Sequence, residues 1–176
     1  ACVALTGASQ TLDQASRGQE AAAWLERTAK ECPSEAPAAL LSLASLHERT
    51  GRAAAAAQAY DRLDREFPAS TEARGASARL AALRPQLPAQ SAAERNERDF
   101  RKAVALSNAS LFREAVPVYR SLLTGRLAPD RGAEVRVRLG RALLTLKRYR
   151  EATVALAAVP KGSAVEAEAA YFLARI

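Results

Sequence analysis

Methionine is absent from this 176-residue sequence, histidine and tryptophan occur once each, and cysteine occurs twice. A lone histidine, His47, and two distant cysteines, Cys2 and Cys32, do not supply the clustered ligands of a zinc site. Glycine is sparse and forms no phosphate-cradling loop; Thr6-Gly7-Ala8-Ser9 is too short to serve as one. Valine and isoleucine are scarce, and no alternating run reaches strand length, so a sheet is not expected. No stretch of 18 apolar residues occurs, so nothing is expected to span a membrane. The acids lie among bases rather than as an isolated pair in an apolar setting, which general acid–base catalysis would need. No catalytic, cofactor-binding or metal residue is expected, and the segment reads as non-enzymatic.

Alanine makes up about a quarter of the chain, with leucine as the main bulky residue. Small side chains let helices approach closely, so the fold class is all-α. The net charge is +7, carried mostly by arginine, with lysine only at Lys30, Lys102, Lys147 and Lys161. Bases and acids alternate through most helices, as in Arg62-Leu63-Asp64-Arg65-Glu66, which is the pattern of a solvated helix surface. The richest basic stretch, Arg131–Arg150, contains one acid, Glu134. No aromatic-plus-basic module accompanies the charge, so nucleic acid is not an expected partner.

Pro37–Pro68 organises the rest. Leu40, Leu43, Ala44 and Leu46 form a helical stripe that stops at Thr50-Gly51-Arg52, with glycine just past the helix end. A second stripe runs through Ala56, Tyr60, Leu63 and Phe67 and stops at Pro68. So short a turn allows only an antiparallel return, and a helical hairpin cannot bury its apolar face alone.

Leu40, Leu43-Ala44, His47, Ala56, Tyr60, Leu63 and Pro68 resemble a tetratricopeptide repeat, with His47 in place of an aromatic ring. Related frames occur at Leu5, Ala8-Ser9, Leu12, Ala21, Leu25, Thr28 and Pro33. Two more run through Ala103, Leu106, Phe112, Ala115, Tyr119 and Leu122, and through Leu139-Gly140, Leu143, Tyr149, Ala152, Leu156 and Pro160. The resemblance implies a right-handed α-solenoid of stacked antiparallel hairpins, about ten helices in all. Helices are expected near 2–14, 18–32, 36–49, 53–66, 71–84, 91–108, 112–124, 130–146, 150–158 and 163–176. Phe67-Pro68-Ala69-Ser70 resembles a turn of envelope tetratricopeptide proteins in which the serine caps the next helix. Pro85 and Pro88 break the pattern, giving hairpins over 1–84, a joint over 85–90 and hairpins over 91–176.

Arg148-Tyr149-Arg150-Glu151-Ala152 and the alanine-rich run to Arg175 resemble the superhelical arm of bacterial soluble lytic murein transglycosylases. That resemblance implies a non-catalytic arm, with peptidoglycan met through the full-length protein. The chain begins at Ala1 and ends in an apolar helix at Ile176, so a segment of a longer protein is expected, with self-association through its terminal helices as a consequence. Cys2 and Cys32 leave three readings open: lipidation of Cys2, a disulfide between them, or two small buried residues, of which the last is favoured.

A stacked-hairpin array presents a groove lined by the first helix of each repeat. The expected lining is Leu41, Ser45, Glu48 and Arg49 in one repeat and Phe100, Arg101, Val104 and Asn108 in another. Arg138, Arg141 and Leu144 complete it. The leading functional reading is a protein-interaction scaffold that takes a partner peptide or helix in this groove. The bacterial periplasm or cell envelope is the expected location, with the cytoplasm as the alternative.

Overall fold

The computed structural model describes residues 18–176. Among them are nine α-helices and one 3₁₀ turn, with no strand. The helix expected near 2–14 and the readings that rest on Cys2 lie outside the described residues. Two compact units, Ala1–Ala89 and Gln90–Ile176, divide the chain.

In the first unit the helices are α1 (Gly18–Glu31), α2 (Ala36–Arg49), α3 (Ala53–Glu66) and α4 (Thr71–Leu83), followed by the 3₁₀ turn Arg84–Gln86. Each packs on its sequence neighbour, and α2 also meets α4, which is how stacked hairpins bury their faces. The core is narrow and leucine-rich, with Leu40, Leu43 and Leu63 fully buried among alanines. Ser70 has extended backbone, and its hydroxyl accepts from the Ala73 amide at 3.1 Å, capping α4 as its sequence implies.

The second unit holds α5 (Ala92–Asn108), α6 (Phe112–Thr124), α7 (Pro129–Thr145), α8 (Tyr149–Ala157) and α9 (Glu166–Leu173). α5 starts with a capping box, in which Ser91 and Glu94 satisfy each other's backbone amides at 3.2 and 2.8 Å. Pro117 stands inside α6, so the Arg113 carbonyl lacks its usual donor there. α9 begins at Glu166 rather than near 163, because Gly162 sits at φ 78° and its amide donates to the Glu166 carboxylate at 2.6 Å.

The hairpin crossings fall where the repeat register puts them. Ala56, Ala115 and Ala152 are all fully buried. At Gly140 an added Cβ would lie 2.5 Å from Leu156 Cγ, so α7 and α8 cross too closely for any side chain there. Three hairpin turns share one geometry. After α2 the Arg52 amide reaches back to the His47 carbonyl at 2.8 Å and Gly51 has φ 71°. After α5 the Leu111 amide reaches Leu106 at 2.9 Å, and after α7 the Arg148 amide reaches Leu143 at 2.9 Å. The residues in the left-handed position of those two turns are Ser110 (φ 61°) and Lys147 (φ 59°). This is the Schellman helix stop used three times, with glycine in only one of them.

Cys32 corrects the favoured reading of the cysteines. It is 2% exposed and disulfide-bonded rather than a free thiol packed like an alanine.

Candidate functional site

In the first unit, the expected lining residues of α2 are mostly engaged with their own fold. Leu41 is half-buried against the leucine core. The Ser45 hydroxyl donates to the Leu41 carbonyl at 3.0 Å, a bond within the helix. Glu48 accepts from the Tyr60 hydroxyl at 2.7 Å and from Arg79 of α4 at 3.2 Å, tying three helices together. Burial first, and the neighbouring Glu48 second, push the Tyr60 phenol above its ordinary range, so it keeps its proton and donates. Arg49 is exposed. His47 takes the half-buried place of a ring; burial, with Arg52 beside it, pushes its imidazole down, and Nδ1 is buried without a hydrogen-bond partner.

The second unit is different. Phe100 of α5 is 7% exposed and forms a floor rather than an exposed wall. The Arg131 guanidinium lies over its ring at 4.1 Å from the centroid and that of Arg138 at 5.6 Å. Over this ring runs a ladder of ion pairs. Arg101 meets Glu97 at 2.9 Å, Glu97 meets Arg131 at 3.1 Å, Arg131 meets Glu134 at 2.9 Å, and Glu134 meets Arg138 at 2.9 Å. Of the three expected groove arginines of this unit, Arg101 and Arg138 are therefore paired. The guanidinium of Arg141, one helical turn further along α7, makes no hydrogen bond or ion pair among the described residues.

Arg141 also stands between two clefts. One, of about 650 Å³, runs between α7 and the start of α9 and includes Glu134, Val137, Arg138, Val165 and Glu168. The other, of about 390 Å³, includes Leu144, Tyr149, Phe172 and Arg175. Arg175 donates to the Tyr171 hydroxyl at 3.1 Å and lies over that ring. Val104 is half-buried on α5, and Asn108 is exposed at its end. Tyr119, the counterpart of Tyr60, is wholly buried; its hydroxyl lies 3.2 Å from that of Ser107, and burial pushes its phenol up.

Helical spacing alone points to Arg138, Arg141 and Leu144, but the expected lining omits Arg131 and Arg175. Arg131 is within reach of sequence reasoning, since it lies seven residues before Arg138 on the same stripe of α7. Arg175 is not, because only the packing of α9 on α7 brings it beside Arg141.

Residues 37–80 match the tetratricopeptide repeat family. The matched span covers the α2–α3 hairpin and most of α4, where the sequence pattern is strongest. A solved structure described as MamA MSR-1 C2 is similar at 18% identity over 99% of this chain and 97% of that one, with a TM-score of 0.32. At that score the likeness carries no weight for function, and the hairpin architecture stands on the helix packing itself. No curated protein matches the chain. The resemblance to the arm of lytic transglycosylases finds no support in the family match.

Proposed function

We propose that the chain is a non-catalytic protein-interaction scaffold whose binding surface is the α5–α7–α9 groove of the second unit. We infer an extended peptide bearing carboxylates as the occupant. Arg141 carries the reading. It is a permanently charged, fork-shaped donor, exposed between two clefts and in no ion pair among the described residues. The ladder beside it is already satisfied, so Arg101 and Arg138 serve to hold the groove open and to orient the wall. Half-buried Leu144 and Phe172 alongside offer contact for the side chains between the carboxylates.

The disulfide at Cys32 supports placing the chain in an oxidising compartment such as the bacterial periplasm or the outside of the cell. No helix among the described residues is long and apolar enough to cross a membrane.

Fluorescence anisotropy with a labelled, proline-interrupted Asp/Leu peptide tests the reading. Replacing Arg101, Arg138 and Arg141 by Ser should weaken binding at least about tenfold, roughly 1.4 kcal/mol. Arg141→Ser alone should account for most of that loss. Arg101→Ser alone should change little, because an exposed i,i+4 pair contributes only tenths of a kcal/mol. An affinity unmoved by the triple change would remove the groove as the site.

A further inference from the structure

On the α6–α8 side of the second unit lies an apolar furrow of about 410 Å³ that the groove reading does not use. Leu123 of α6, Leu139 of α7 and Ala155 of α8 form its floor. Val154 of α8 projects at its edge and is 72% exposed, the most exposed of the chain's described large apolar residues. Three arginines from three helices, Arg120, Arg136 and Arg150, rim it. Its one acid, Glu151, is bonded by Arg120 and by Arg148, the latter at 2.7 and 2.8 Å. The guanidiniums of Arg136 and Arg150 make no hydrogen bond or ion pair among the described residues. The rim therefore keeps uncompensated positive charge around an apolar floor.

That combination selects its occupant. Burying Val154 and the leucine floor favours an apolar stripe, while the two unneutralised guanidiniums favour carboxylates on either side of it. A helix with apolar residues at i, i+3, i+4 and i+7 flanked by Glu or Asp meets both demands. A nucleic-acid backbone offers phosphates but nothing for the floor. A second copy of this chain, at +7, brings charge of the wrong sign. We propose that the furrow docks an acidic amphipathic helix of a partner protein, independently of the groove on α5, α7 and α9.

The test uses a fluorescein-labelled synthetic helix with a leucine stripe flanked by Glu, and a twin with Lys in place of every Glu. Anisotropy titrations of the 176-residue chain should show saturable binding of the Glu peptide, at least about tenfold tighter than the Lys twin. Val154→Asp should weaken it by at least about tenfold, and it should still fold because the site is exposed. Arg136→Ser with Arg150→Ser should also weaken it and flatten its dependence on salt. Arg141→Ser should leave it unchanged. Equal binding of the two peptides, absence of saturable binding, or loss in Arg141→Ser with retention in Val154→Asp would each overturn the proposal.

Discussion

The two units are built on one register yet use it differently. In each, a tyrosine of a second helix reaches back twelve residues to the first helix of its own hairpin. Tyr60 finds the carboxylate of Glu48, which Arg79 then draws toward α4. Tyr119 finds only the hydroxyl of Ser107. The first unit thus consumes its inner-face charge in holding α2, α3 and α4 together. In the second the tyrosine contact is neutral, and the charge of α5 and α7 sits outside it, as a ladder over Phe100 that ends at Arg138, with Arg141 one helical turn beyond it. A shared hairpin geometry therefore does not make equivalent surfaces. What differs is where the carboxylates fall.

The shared register can be broken most strongly at the hairpin crossings. Ala56→Phe in the first unit and Ala152→Phe in the second should each cost about 1–3 kcal/mol by overpacking. The exposed Ala54→Phe should stay within about half a kcal/mol. Thermal melts of the three variants read this, and equal melting temperatures would mean that the register is misplaced.

A smaller effect distinguishes the turns. Gly51→Ala should lower stability by about 1 kcal/mol, since it forces a side chain into the left-handed region. Ser110→Gly and Lys147→Gly relieve that same cost but loosen the unfolded chain, so each should gain no more than about 0.5 kcal/mol. Urea denaturation midpoints with unchanged slopes check both signs.

The smallest effect depends on pH and belongs to the first unit alone. Burial lowers the folded pKa of His47 below its ordinary value near 6.5. The unfolded chain then binds the proton first, so stability is fully present above about pH 6.5 and is lost as pH falls toward the folded pKa. His47→Phe restores the ring that the repeat pattern calls for and removes the orphaned Nδ1. Its gain in melting temperature should be larger at pH 5 than at pH 8, and an equal gain at both would contradict the titration.

Helix positions are legible in the sequence because the apolar stripes are regular and proline or glycine marks several ends. α2, α3 and α6 match their expected bounds. The left-handed turns at Ser110 and Lys147 are not legible, since no glycine announces them and only the backbone bonds define them. The capping box at Ser91–Glu94 carries a plain sequence signal, a serine three residues before a glutamate, that the apolar stripes alone do not bring out. Groove arginines on α7 are legible from helical spacing. Their pairing partners are legible too, but which arginine is left over depends on Arg131, which takes a share of both Glu97 and Glu134. The furrow beside Val154 combines three helices and has no local sequence signature.

Binding is proposed for the α5–α7–α9 face and not for α2 and α4. Amide chemical-shift mapping of the isotopically labelled chain during titration with the extended Asp/Leu peptide tests it most directly. The expected result is a set of shifts centred on Arg141 and running along α7 into α9, absent in Arg141→Ser. Shifts centred on α2 and α4, or none at saturating peptide, would contradict it.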